Sequence, residues 1–178
     1  MRFVLYTDSE DQRRERFEYM FRAHYHAVDA FVMGQFPHAD HDDVMSVTFE
    51  TAWRRFDDIP ADASRGWLIG VARNTALNSL RGRRRRRARL DAFGSLRPRS
   101  VSRLHDHDLA PEILDQLQAA FDRLRPQDRE VIQLAEIDGL VGDELGAALG
   151  VSAGTAAVRL HRARKRIQAL FNGAGDES

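Results

Sequence analysis

Apolar residues in this chain recur every three or four positions almost from end to end, and no run alternates with the period of two that a strand needs. Helices are therefore the expected elements, and all-α the expected fold class. Phe17, Met20, Phe21, His24, Val28, Phe31 and Val32 trace one stripe. Val44, Val47, Thr48, Ala52, Trp53 and Phe56 trace a second, entered through the acidic segment HADHDD, where carboxylates favour a helix start. Trp67, Leu68, Val71, Ala72, Thr75 and Leu80 trace a third, so residues 13–88 are expected to form a three-helix bundle. Periodicity fades over residues 89–110, where RPRSVSRLHDHDLAP has the mixed polar and Pro-containing composition of a flexible linker. It resumes at Pro111, a good first-turn residue. Ile113, Leu117, Ala120, Phe121 and Leu124 form one further stripe, and Val131, Ile132, Leu134 and Ala135 another. The expectation is two small helical domains, 13–88 and 111–171, moving independently because the linker offers no apolar stripe for docking.

A chain of 178 residues is long enough for such cores. No apolar run approaches eighteen residues, and MRFVLYTDSEDQRRE turns acidic after a few apolar positions. Neither a membrane span nor a signal peptide is expected, and the location read from this is cytoplasmic. Cysteine is absent, which excludes disulfides, zinc–cysteine sites and thiol chemistry. The 27 basic and 27 acidic residues cancel, but in blocks. Residues 1–60 carry a net −5, 61–103 a net +10, 104–147 a net −8 and 148–178 a net +3. Basic surfaces alternating with acidic ones suggest a polyanion at the former and a protein partner at the latter. The densest basic stretch, LRGRRRRRARL from Leu80 to Leu90, holds seven arginines in eleven positions.

The segment GDELGAALGVSAGTAAVRL has the form of a helix-turn-helix. Gly150 can take the left-handed conformation of a sharp turn, and Ser152 is placed to cap the following helix. That helix would bury Ala156, Leu160, Ala163, Ile167 and Leu170, and present Gly154, Val158, His161, Arg162 and Lys165 on the opposite face. Small, basic and hydrogen-bonding groups facing outward suit the major groove of DNA. An amphipathic helix with a solvated basic face is the plainer alternative. Val158 is the odd member: an apolar side chain on that face either packs on a neighbouring helix or meets a thymine methyl.

LRPQDREVIQL followed by EIDGLVGDELGAALGVSAGTAAVRLHRARKRI resembles region four of bacterial sigma factors of the extracytoplasmic-function group within the sigma-70 family. DHDDVMSVTFETAWRRF resembles region 2.2 of the same proteins, and RGWLIGVARNTALNSLRGRRRR resembles regions 2.3 and 2.4. Three motifs in register, over about residues 13–171, carry the resemblance. It implies an alternative sigma factor that binds core RNA polymerase through the beta-prime clamp helices and beta flap. It also implies reading of the promoter minus-ten and minus-thirty-five elements, promotion of melting, and control by an anti-sigma factor. By the same resemblance Asp40, Asp42, Asp43, Phe49 and Trp53 form the polymerase surface, although Ser46 and Val47 replace a common Gln and Glu. The loop Asp57 to Arg65, then Trp67, Asn74 and Asn78, would hold the melted strand, with Trp67 equally suited to core packing. Arg81 and Arg83, Arg84, Arg85, Arg86 and Arg87 would neutralise phosphates beside the bubble. In region four Ser152, Gly154, Thr155, Val158, Arg159, His161, Arg162 and Lys165 would face DNA.

Two other classes compete. HADHDD and HDHD (His105 to Asp108) contain metal-ligand types, but one sits at a helix start and the other in the linker. No phosphate loop, nucleophile motif or dinucleotide fingerprint accompanies them. No catalytic residue, metal, cofactor or small-molecule substrate is therefore expected. A helix-turn-helix regulator that does not need polymerase accounts for the C-terminal motif and leaves the region-two resemblance unexplained. Phosphate contacts act through counterion release and carry no base information. Neutralising Arg83 to Arg87 should therefore weaken DNA binding by the assembled polymerase and flatten its salt dependence, with base preference unchanged. A titration of affinity against salt, with binding-site selection alongside, checks both halves.

Overall fold

The computed structural model describes residues 10–90 and 111–175. Among these there are helices and turns and no strand. Helix α1 runs Glu10–Gln35, α2 His41–Arg54 and α3 Ser64–Leu90, with short 3-10 turns at Phe56–Asp58 and Ala61–Ala63 between the last two. The second half holds α4 (Pro111–Arg123), α5 (Pro126–Ile132) continued by a π turn at Gln133–Ile137, α6 (Gly142–Leu149) and α7 (Ala153–Gly175). The expected first bundle thus begins three residues earlier and ends two later than its apolar pattern. The segment 91–110, which holds most of the expected linker, lies outside the described residues.

The first stripe is buried as expected through Met20, Val28, Phe31 and Val32. On α2 the core takes Val44, Met45, Thr48, Phe49 and Ala52. Thr48 satisfies its buried hydroxyl by donating to the Val44 carbonyl at 2.6 Å. Helix α3 departs from its stripe: Leu68 and Ala72 are buried, but Ile69 and Ala76 fill the deep places while Trp67, Val71 and Thr75 are partly exposed. The reason is that α3 is covered on two sides, by α1 and α2 on one and by α6 on the other.

The turn between α6 and α7 follows local chemistry. Gly150 adopts φ +65°, with its N–H and that of Val151 returning to the carbonyls of Ala147 and Gly146, which closes the helix in a Schellman arrangement. Ser152 Oγ accepts from the Thr155 N–H at 3.2 Å and so caps α7. Gly146 lets the two helices approach, since a Cβ there would lie 2.8 Å from the Val151 carbonyl.

The two expected helical units are present and lie packed against each other. Residues from both halves share one core, and α3 lies directly against α6. Docking does not need an apolar linker; it uses two glycines one turn apart on α3. A Cβ at Gly66 would overlap the Glu144 carbonyl, and one at Gly70 would come within 2.9 Å of the Ala148 carbonyl. With the backbones this close, polar groups span the seam. Arg65 pairs with Glu144 at 3.1 Å and donates to the Asp138 and Gly139 carbonyls. Arg73 pairs with Glu130 at 2.7 Å, and Gln133 donates to Gln35 at 3.2 Å. Burial holds the Glu130 carboxyl above its ordinary range, against the pull of Arg73 and then Arg159.

His24 sits beside the seam, sharing a 2.8 Å hydrogen bond with Ser64 Oγ. Burial lowers its pKa, the nearby Glu144 pulls it back up and Arg65 pushes it down. A folded-state pKa below the unfolded one means that the unfolded chain takes up the proton first. Stability is therefore complete above the ordinary histidine pKa of about 6.5 and declines as pH falls through it. Urea midpoints from pH 8 to pH 5 should drop less steeply for His24→Gln than for the native chain; parallel curves would show that His24 is not the group responsible.

Candidate nucleic-acid and polymerase interface

Helix α7 buries Ala156 and Ala163 completely, with Leu160, Ile167 and Leu170 partly covered along the same face. This orients the other face outward, and Gly154, Thr155, Val158, Arg159, His161, Arg162 and Lys165 are all exposed. Ser152, also exposed, has its oxygen engaged by the Thr155 N–H and lies 2.9 Å from the Thr155 hydroxyl. Val158 is 50% exposed and rests on no neighbouring helix in the manner of a core valine. The basic groups of α7 divide into two sets. Arg166 spans both carboxylate oxygens of the buried Asp128 at 2.6 and 2.8 Å, and Arg164 holds Glu136. Arg162 and Lys165 make no ion pair among the described residues. The first set ties α7 to α5 and its π turn, and the second projects from the exposed face.

On α3, spacings of four, three and four residues bring Trp67, Val71, Asn74 and Asn78 to one side. Asn74 and Asn78 are exposed. Each amide oxygen accepts from an arginine, Arg73 at 3.4 Å and Arg81 at 3.3 Å. Trp67 packs partly on the core, with the Arg55 guanidinium 5.8 Å over its ring. Arg81 and Arg83 are exposed at the end of this helix. Arg84 to Arg87 continue it, and their side chains fall outside the described residues. The loop before α3 differs from expectation at its end: Ala63 and Ser64 are buried, and Arg65 is occupied by α6. Sequence reasoning missed this contact and the Arg73–Glu130 pair.

On the acidic surface Asp40, Asp42 and Asp43 are exposed at the start of α2. Asp40 also caps that helix, accepting from the Asp43 N–H. His41 shares hydrogen bonds with Asp29 at 2.8 Å and Asp42 at 3.3 Å. Trp53 is 37% exposed, with Arg13 over its ring at 4.5 Å and Phe17 edge-on at 5.0 Å. Phe49 is a correction. It is 8% exposed, enclosed by Phe21 and Tyr25, and shapes the surface from beneath. Tyr19 and Met33, on the outer side of α1, are apolar groups left open that the inward stripe did not draw attention to. Among the described residues no three His, Cys, Asp or Glu side chains converge as a metal cluster, and His105 to Asp108 lie outside them.

A helix-turn-helix with free cations on its second helix, joined to a bundle ending in an arginine-rich helix, defines a DNA-binding transcription protein. Residues 20–86 match the family Sigma-70 region 2, and residues 114–167 match Sigma-70, region 4. The ECF RNA polymerase sigma-E factor of Escherichia coli (strain K12) is 31% identical over 153 residues, covering 80% of this chain and 79% of that protein. RNA polymerase sigma factor CarQ of Myxococcus xanthus is 28% identical, with 90% and 92% covered. ECF RNA polymerase sigma factor SigE of Mycolicibacterium smegmatis is 33% identical over 72% of this chain, which spans about half of that relative (51%). A solved structure of CnrH in complex with the cytosolic domain of CnrY is 28% identical and covers 90% of each chain at a TM-score of 0.53. The chain belongs to the extracytoplasmic-function group of the sigma-70 family. It is an alternative sigma factor, and core RNA polymerase and promoter DNA are its partners. The family consists of transcription initiation factors without a catalytic role of their own.

Proposed function

We propose that residues 13–88 dock on core polymerase and hold the melted minus-ten strand, and that residues 111–171 read the minus-thirty-five element. The observation that carries this reading is the division of α7 into arginines tied to Asp128 and Glu136 and cations left unpaired on the outward face. An internal ion pair fixes the helix, whereas an unpaired exposed cation is what a phosphate or guanine edge requires. Asp40, Asp42 and Asp43, with the edge of Trp53, supply the polymerase surface. Asn74 and Asn78, whose amides both donate and accept, contact bases of the opened strand beside Trp67. Arg81 and Arg83 to Arg87 hold its phosphates. The chain performs no catalysis itself and takes no metal, cofactor or small-molecule substrate.

Among structural relatives, a sigma factor RpoE is seen with the anti-sigma factor NepR from Bartonella quintana, at 24% identity and a TM-score of 0.55. That likeness supports the fold; control of this chain by an anti-sigma factor follows from its group. No helix among the described residues is long and apolar enough to cross a membrane, and a cytoplasmic site of action fits a factor that must meet polymerase and DNA. Reconstitution with core polymerase tests the function: start sites should be used that core alone ignores. A chain that binds DNA but confers no start sites would be a plain regulator.

Val158 gives the finer expectation. Exposed at the middle of the outward face, its methyl groups fit a thymine methyl in the major groove, with Arg162 beside it for a guanine edge or a phosphate. Val158→Ser should lower discrimination at one minus-thirty-five position by about 1–3 kcal/mol. Sites selected from a random library by the two reconstituted enzymes should differ there alone; identical preferences and stringency would place Val158 away from the bases.

A further inference from the structure

We propose that Arg13, in the first turn of α1, is a positioning residue for the loop between α2 and α3. Its guanidinium fixes the place where that loop leaves α2, and with it the minus-ten selectivity of the assembled polymerase. This role rests on the assignment of Asp57 to Arg65 to the melted strand.

The two ends of the loop are held in different ways. At the far end Ala63 and Ser64 are buried, Ser64 Oγ shares a 2.8 Å hydrogen bond with His24, and Arg65 is paired with Glu144. At the near end α2 stops at Arg54 and a single 3-10 turn, Phe56–Asp58, follows. Phe56 and Ile59 pack partly on the core there, while Asp57, Asp58, Pro60, Ala61 and Asp62 are exposed. Burial therefore fixes the exit of the loop far more firmly than its entry.

Arg13 supplies what the entry lacks. Its side chain is only 24% exposed. The guanidinium lies 4.5 Å over the Trp53 ring and 5.9 Å from that of Phe56. One terminal nitrogen donates to the Trp53 carbonyl at 2.7 Å. That carbonyl is in the last turn of α2, where the helix offers no partner of its own and a cation complements the dipole. Arg13 Nε donates to Asp57 Oδ2 at 3.3 Å. One planar fork thus joins the end of α2 to the first acidic residue of the loop, from a third helix. The other ion pair at this end, Arg55 with Asp58, spans three residues and is local.

The contact with Asp57 acts on geometry more than on stability. Asp57 is exposed, and such a pair contributes little to folding. A guanidinium nevertheless holds two acceptors at a fixed angle, which a point-like ammonium cannot do. Groups that recognise a ligand need to be held within about 0.5 Å of the productive position. Trp53 is also assigned to the polymerase surface, so one side chain joins the docking edge to the strand-contacting loop.

The test uses the full chain and Arg13→Lys, which keeps the charge and one donor for the Trp53 carbonyl but cannot span to Asp57. A nitroxide at Ala61→Cys, in an otherwise cysteine-free chain, reports motion of the loop. Arg13→Lys and Asp57→Asn should each loosen the label, and the two together no more than either alone, as expected of partners in one contact. A native-like spectrum for Arg13→Lys would make Arg13 a cap for α2 only, and additive loosening would separate it from Asp57; either overturns the proposal. In parallel, polymerase assembled with the unlabelled chain selects sites from a DNA library randomised at both promoter elements. Arg13→Lys should lower enrichment of the preferred base severalfold at one or two minus-ten positions, with minus-thirty-five preferences and affinity for core polymerase unchanged. Equal losses at both elements, weaker core binding with intact minus-ten stringency, or a loosened loop with unchanged selection overturns it. Should Arg13→Lys fail to fold by circular dichroism, Asp57→Asn, which leaves Arg13 on Trp53, gives the label reading. Absence of any minus-ten preference in the native chain would count against the assignment of the loop alone, and the label would still decide whether Arg13 holds it.

Discussion

The arrangement depends on a close approach between two helix backbones. Gly66 and Gly70 remove the side chains that would hold α6 away from α3. At that separation the Arg65 guanidinium reaches a carboxylate and two carbonyls on the other half of the chain. The polar contacts are consequences of the approach and add direction to it. Arg65 has its donors satisfied only if Glu144, Asp138 and Gly139 are all in place, which sets the register of α6 along α3. Apolar side chains of both halves, Leu68 and Ile69 on α3 and Leu145 on α6 among them, are buried in the same core.

The charge pattern becomes intelligible from the same contacts. The acidic block 104–147 meets the two basic blocks inside this molecule: Glu130 and Glu144 take Arg73 and Arg65, while Asp128 and Glu136 take Arg166 and Arg164. These pairs neutralise arginines at helix contacts, where an unpartnered charge would be costly. The cations left without an ion pair among the described residues include Arg81 and Arg83 at the end of α3 and Arg162 and Lys165 on α7. They lie where the helices carry the groups assigned to DNA. Zero net charge thus conceals internal neutralisation at packed sites and a cationic excess on the exposed sides of α3 and α7. Asp40, Asp42 and Asp43 stay outward, exposed at the start of α2.

Features decided within a few residues were legible in the sequence. The left-handed Gly150, the Ser152 cap and the buried side of α7 follow from local sterics and from helical period. The outward set of α7 was readable for the same reason. Phe49 and Trp53 were harder because one stripe cannot tell a deep position from a rim position. Neighbours on α1 decide it, with Phe21 and Tyr25 closing over Phe49 while Trp53 is left at the edge. The seam was not legible. Its signal is the absence of side chains at two positions, and its ion pairs join residues such as Arg65 and Glu144 that are 79 apart in sequence. The weakly apolar linker argued for separate domains only on the premise that docking must involve it, and the helices supplied the contact instead.

Helix α6 belongs to two structures at once. On one side it is the first helix of the helix-turn-helix, held to α7 by the closed turn at Gly150 and by an approach at Gly146 that leaves no room for a Cβ. On the other it is the surface that covers the loop before α3. Gly146 and the turn fix α6 to α7, and Arg166 and Arg164 fix α7 to α5 and its π turn, so the C-terminal half is braced as one unit. One helix thus ties the orientation of α7 to the seam with α3.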